Sequence, residues 1–334
     1  MKHIKKIDFY IQFIINNKVI NMLTREKEDY WISNDNTLVF KPKFNKSLDD
    51  YIDIISKYDK LIFSNYMDID ICIETNNQYE FKFHGNHLRS NFNQEVINLP
   101  PNITHLTFGY FFNQEVINLP QNLTHLTFGG DFNQEVINLP PNITHLTFGY
   151  YFNQEVINLP QNLTHLTFSY DFNQEVINLP QNITHLTFGY RFNQEVINLP
   201  QNITHLTFGY RFNQKVNIPF SVKYLKLHCN NKNIIDYLPD SIEELELGFE
   251  FNLELNNLPS SLKKIIFNQN SYYNENLNCL PKKLELLQLP HKYIHEIKNI
   301  PNGLKKVICS KNYKYINNFK NLEIETLKKI DFLI

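Results

Sequence analysis

From Phe92 to Arg211 the chain repeats one twenty-residue unit six times with few changes, from FNQEVINLPPNITHLTFGYF to FNQEVINLPQNITHLTFGYR. A unit this short cannot enclose a hydrophobic core of its own, so burial has to come from stacking each unit on the next. That restricts the fold to a solenoid before any other residue is weighed. Beyond Arg211 the copies diverge, but the prolines keep time: Pro219, Pro239, Pro259, Pro281 and Pro301 follow Pro100, Pro120, Pro140, Pro160, Pro180 and Pro200, giving eleven units.

Within one unit the apolar positions are Leu99, Ile103, Leu106, Phe108, Phe112 and Val116. Thr104-His105-Leu106-Thr107-Phe108 alternates polar and apolar, which predicts a short strand with one buried face. Leu99-Pro100-Pro101 cannot extend a sheet ladder, because proline lacks an N–H. A turn is expected near Gly109-Tyr110, followed by an irregular or 3₁₀ return arm, since twenty residues leave no space for a full helix. Neighbouring strands then pair in parallel, about 4.8 Å apart, and eleven units make an arc roughly 50 Å long.

LPPNITHLTFGYFFNQEVINLP resembles the FNIP repeat, a leucine-rich-repeat relative. Phe112-Asn113 matches its Phe-Asn, Leu119-Pro120 its Leu-Pro, and Leu123 to Phe128 its strand, while Glu115-Val116 stand where the family often has Pro-Ile. The resemblance implies a β-rich, leucine-rich-repeat-like solenoid with a parallel sheet on one face. It also implies an interaction module without chemistry of its own, of a kind found in social amoebae and in giant viruses of amoebae.

Three regions are expected: an α+β N-terminal capping region over 1–91, the repeat solenoid over 92–320, and a C-terminal cap over 321–334. The N-terminal MKHIKKIDFYIQFIINNKVI reads as a packed helix rather than a signal peptide, because Gln12 interrupts its apolar run and no small-residue cleavage site follows. Ser47-Leu48-Asp49-Asp50 predicts a helix start. Lys60 to Tyr66, Ile71 to Glu74 and Tyr79 to Phe83 read as strands, the last placed to pair with the first repeat strand. An F-box-like segment in this region would make the protein a substrate-recognition adaptor of a ubiquitin ligase, although no Leu-Pro-led helical triplet is apparent.

The formal net charge of −2 supplies no field for nucleic acid or anionic lipid. Cys72, Cys229, Cys279 and Cys309 have no metal-binding or disulfide spacing, which fits a reducing compartment. A monomer in the cytoplasm, the host's if the source is viral, is the expectation, with no cofactor, no metal, no membrane and no catalytic constellation.

In a stack each position of the unit becomes a column. His105, His125, His145, His165, His185 and His205 form one on the strand face, expected to be a solvated ladder whose close spacing disfavours simultaneous protonation. Glu95, Glu115, Glu135, Glu155, Glu175 and Glu195 form a second, expected on a solvated convex face. The Asn-Ile-Thr sequon at Asn102 follows from the repeat, and Asn113 and its equivalents predict an asparagine ladder that satisfies loop backbone groups. The copies differ most just after the strand: Tyr110-Phe111, Gly130-Asp131, Tyr150-Tyr151, Tyr170-Asp171, Tyr190-Arg191 and Tyr210-Arg211. Tyrosine and arginine anchor interfaces, so these residues, together with the histidine column, are the candidate partner-binding rim. Further on, Lys223, Tyr224 and Lys226, then Glu243, Glu244 and Glu246, then Lys263 and Lys264 predict charged rungs that neutralise one another.

Overall fold

The computed structural model describes residues 29–327 except 34, 66–71, 76–77 and 82–88. The helix expected over the first twenty residues lies outside them. The architecture is a parallel β-solenoid with very little helix, as the repeat requires. A single fifteen-stranded sheet runs through the described residues. It opens with an antiparallel hairpin of β1 (Tyr30–Ile32) and β2 (Leu38–Phe40), after which β3 (Lys60–Phe63) joins in parallel. From there every new strand pairs in parallel with its predecessor, from β6 (His105–Thr107) through β11 (His205–Phe208) to β17 (Glu323–Thr326).

β3, not Tyr79 to Phe83, pairs with the first repeat strand, bringing Leu61 opposite Leu106. The reason lies in its own alternation, since Leu61 and Phe63 are buried and continue the columns of Leu106 and Phe108. β4 (Cys72–Thr75) and β5 (Gln78–Phe81) form a separate two-stranded hairpin. The helix start at Ser47 is a 3₁₀ turn over Asp49–Tyr51 leading into the short α1 (Ile52–Ile55).

Register is kept unit by unit: His, Leu and Thr pair with the same residues of the next copy. The strands are shorter than the five alternating residues, with three residues in each of the first five repeats. Behind them Phe108 and Phe112 stack at 3.8 Å within a unit, and Phe112 meets Phe132 at 6.1 Å in the next. Two continuous columns of phenylalanine therefore form the centre of the stack, with Ile103, Leu106 and Val116 packed around them. Aromatic pairs of this kind add to the burial that offsets the entropy of ordering each unit.

The return arms make few backbone bonds to each other, and the asparagines take their place. Asn113 Oδ1 accepts from Asn133 N–H at 2.9 Å, and Asn153 Oδ1 from Asn173 N–H at 2.8 Å. The ladder begins in the N-terminal region at Asn45, which accepts from Asn93 N–H at 3.0 Å. The sequon asparagines have a structural task as well: Asn122 Nδ2 donates to Pro101 carbonyl at 2.8 Å. Asn118 and Asn138, at φ 56° and 57°, turn the arm toward Leu-Pro in the left-handed conformation that asparagine tolerates. Asn153→Ala removes the acceptor for Asn173 N–H and is expected to cost about 1–2 kcal/mol in urea unfolding. Asn153→Asp keeps an acceptor oxygen there and should recover part of that loss.

Candidate functional site: the strand face and its rim

On the outer side of the sheet His and Thr alternate with buried Leu. The imidazoles are half-buried and stack face to face, His105 on His125 at 4.1 Å and His185 on His205 at 4.0 Å. The column continues onto Tyr224, whose ring lies 4.1 Å from that of His205. This differs from a freely solvated ladder, because each ring covers the faces of its neighbours.

Each ring is also fixed edgewise. Thr124 Oγ1 lies 2.9 Å from His125 Nδ1 and 3.0 Å from the Thr104 carbonyl oxygen. A carbonyl only accepts, so the hydroxyl donates to it and takes a hydrogen bond from Nδ1. The same triangle recurs at Thr144, Thr164, Thr184 and Thr204. The neutral tautomer is therefore Nδ1–H, leaving a column of Nε2 acceptors. Burial, reinforced by adjacent imidazoles, holds His125, His145 and His185 down at about 4. His105, His165 and His205 are lowered too, by burial first. At neutral pH the face is an uncharged array of acceptors and ring edges, not a cationic one. Among the described residues no group of histidine, cysteine and carboxylate side chains converges on a metal position.

The rim after the strand falls into two parts. Tyr150, Tyr170, Tyr190 and Tyr210 stack in series at 4.5, 4.5 and 5.0 Å. Tyr110 stands apart, because a Cβ at Gly130 would lie 2.4 Å from its ring: the glycine leaves the space that this ring fills. Arg89 covers Tyr110 at 3.7 Å. Arg191 and Arg211 lie over Tyr170 and Tyr190 at 5.6 and 5.9 Å, and Arg191 also meets Asp171 at 3.2 Å. Phe111 and Tyr151 project outward, each edge-on to the tyrosine before it. Asp131 is half-buried beside this first part, where burial raises its carboxyl.

Beyond β11 the strand face becomes charged, and the rungs pair as their alternating signs predict. Lys223 and Lys263 flank Glu243 at 3.3 and 2.6 Å, Lys226 meets Glu246 at 2.5 Å, and Lys264 meets Glu244 at 2.9 Å. These exposed pairs contribute little stability, but they give this half a mixed-charge surface unlike the neutral histidine half.

One column was not legible as such. Ile97, Ile117, Ile137, Ile157, Ile177 and Ile197 on the return arms are exposed by 46, 56, 63, 63, 66 and 76%. The sequence signal is the adjacent Val-Ile pair: in an extended arm only one of the two can face the core, and the core takes Val96, Val116, Val136, Val156 and Val196, with Val176 packed against it partly buried. The glutamate column, two residues earlier in each unit, is exposed on the same side.

Comparison with known proteins agrees with this geometry. Among solved structures, CroV588, a circular LRR protein of a giant virus, superposes with a TM-score of 0.58 at 32% identity. The alignment covers 86% of this chain and 51% of that one, so the chain spans about half the length of CroV588. YopM from Yersinia enterocolitica aligns over 64% of this chain and 61% of its own at 18% identity, with a TM-score of only 0.36. A leucine-rich repeat protein from Bacteroides ovatus aligns over 71% and 72% at 10% identity, with a TM-score of 0.19. No curated protein sequence matches the chain. The FNIP Repeat family model matches residues 92–131, 112–151, 132–171, 152–191, 172–198, 192–230 and 230–270. With more than half of its length matched in register with the strands described above, the chain belongs to the FNIP repeat family.

Proposed function

We propose that this protein is a non-enzymatic scaffold that binds a protein partner along the outer face of its sheet and the adjoining tyrosine–arginine rim. The observation that carries the reading is a pair of stacked ring columns, one on the strands and one in the turns that follow them. A six-imidazole stack runs into Tyr224 on the strand face, and a four-tyrosine stack overlaid by Arg191 and Arg211 occupies the turns that follow those strands. Rings already stacked lose little further freedom on binding, and tyrosine and arginine are the residues on which interface energy concentrates. Neutral Nε2 acceptors suit a partner that offers N–H or O–H donors, and a partner of this kind would be met in the cytoplasm. No helix of the described residues is long and apolar enough to cross a membrane. The adaptor alternative would rest on the N-terminal region, whose first twenty-eight residues lie outside the described ones.

Affinity capture with quantitative mass spectrometry tests the reading. Tyr170→Ser combined with Arg191→Ser leaves the core intact and is expected to reduce capture of a specific protein by tenfold or more. A captured set identical to that of the unsubstituted chain would reject the rim as the binding surface.

A further inference from the structure

The exposed isoleucine column lies on the return arms, on the other side of the core from the histidine stack, and the binding reading above makes no use of it. Six isoleucines in register present on the order of 700 Å² of apolar surface. That exceeds the few hundred Å² that a monomer usually leaves in one patch and approaches the roughly 800 Å² per partner of a standard interface.

The fold does not require isoleucine at this position. In later units the residue after the inward-facing arm residue is polar: Asn217 after Val216, Asn256 after Leu255, Asn278 after Leu277 and Lys298 after Ile297. Those arms pack inward as the earlier ones do, since Leu255, Leu277 and Ile297 are each only 1% exposed. The isoleucine stripe is thus confined to the six near-identical copies and ends where they end.

We propose that this stripe is the contact between two copies of this chain. Its spacing is the first reason. The rungs repeat at the parallel-ladder distance of about 4.8 Å, whereas a helix presents a turn every 5.4 Å and one face of an extended strand repeats at about 6.8 Å. Over six rungs either of those partners drifts out of step. A second solenoid of the same repeat keeps level with it throughout, as identical side chains do across a dry zipper.

Charge decides the orientation. If the two-fold axis crossed the stripe, the two glutamate columns would face each other, and like charges brought together disfavour that pairing. If the axis runs along the stripe, the isoleucine columns meet side by side and each glutamate column moves to an opposite flank. There it faces the partner's exposed Asn98, Asn118 and Asn138 series, whose amides can donate to carboxylates. The contact is isologous, and each rung meets the same rung of the second copy.

Light scattering coupled to gel filtration, at tens of micromolar, is expected to give twice the chain mass for the unsubstituted protein. Ile137→Asn, Ile157→Asn and Ile177→Asn together copy what the later units already carry, so they should leave the circular dichroism unchanged and give a single-chain mass. A second measurement does not depend on weakening the contact: Ile157→Cys, in a background with the exposed Cys279 changed to Ser, should oxidise to a disulfide-linked dimer. Glu195→Cys in the same background should not, because that column lies on the flank. An unsubstituted protein that runs at single-chain mass, or a triple variant that remains dimeric, overturns the proposal. So does failure of Ile157→Cys to cross-link under conditions where dimer is present.

Discussion

Phe152→Ala is expected to lower the free energy of unfolding by about 3–5 kcal/mol, the usual range for deleting a fully buried phenylalanine. Phe152 is completely buried, stacks on Phe148 at 3.9 Å, and lies 6.0 Å from both Phe132 and Phe172. Truncation removes both the transfer of the ring from water and its contacts in three units, and the flat rings above and below cannot close the gap. The position in the stack adds a further effect. Each unit is held by its two neighbours, so a defect in a middle unit weakens the coupling between the two halves. Urea unfolding should broaden or split into two transitions, with a reduced apparent m-value. Glu155→Gln, on the exposed side of the same unit, should stay within about 0.5 kcal/mol. A loss of under about 1 kcal/mol for Phe152→Ala would show that the phenylalanine columns do not hold the units together.

The second large effect is acid sensitivity in a window set by histidine. His125, His145 and His185 are held at about 4 in the folded stack, whereas a free imidazole titrates near 6.5. Above about 6.5 the rings are neutral in both states, and their contribution to stability is fully present. As pH falls from about 6.5 to about 4, the unfolded chain takes up protons that the stacked rings refuse, so stability declines across that interval. The three rings held at about 4, allowing for their partial exposure, imply a loss on the order of 3–6 kcal/mol between pH 7 and 4.5, and the other three act in the same direction. Glu243 and Glu285, held low by Lys263 and Lys305, begin to lose their contribution only as pH falls into the ordinary carboxylate range, near the lower end of the histidine window. The two contributions therefore separate along the pH axis. Urea midpoints across pH 7 to 4.5 check the loss, and NMR titration of the imidazole protons should place several midpoints well below 6. Replacing His125, His145, His165 and His185 together by Gln should flatten the curve in this interval. An unsubstituted protein equally stable at pH 7 and 4.5 would rule out the effect.

The fold was largely legible because its causes are local and repeated. Leu106 and Phe108 announce an inward face by alternation, Pro100 ends the ladder, and Asn113 follows Phe112 at a bend where backbone groups need partners. What was hidden depends on relations between segments. The pairing of Lys60–Phe63 with the first repeat strand cannot be told from sequence order, since two later segments are equally extended. The opening hairpin at Tyr30–Ile32 and Leu38–Phe40 consists of runs too short to show a period. At the site, the histidine column was visible but its tautomer was not, because that depends on a carbonyl of the preceding unit accepting from threonine. The rim residues were visible too, whereas its division at Gly130 depends on where the ring of Tyr110 folds. The isoleucine column escaped because two adjacent apolar residues read as one inward-facing position.

The asparagine ladder carries a consequence for the length of the molecule. Asn133 to Asn113, Asn153 to Asn133 and Asn173 to Asn153 are the same bond made twenty residues apart. Excising one whole copy would bring an identical asparagine, phenylalanine pair and strand into the vacated place, and every bond across the join would re-form. Recombination between near-identical copies can therefore shorten or lengthen the chain in steps of about 4.8 Å without creating a cavity or an unpaired amide. What such a step alters is the distance between the opening hairpin and the lysine–glutamate half, which makes the six copies a ruler whose graduations can be added or removed.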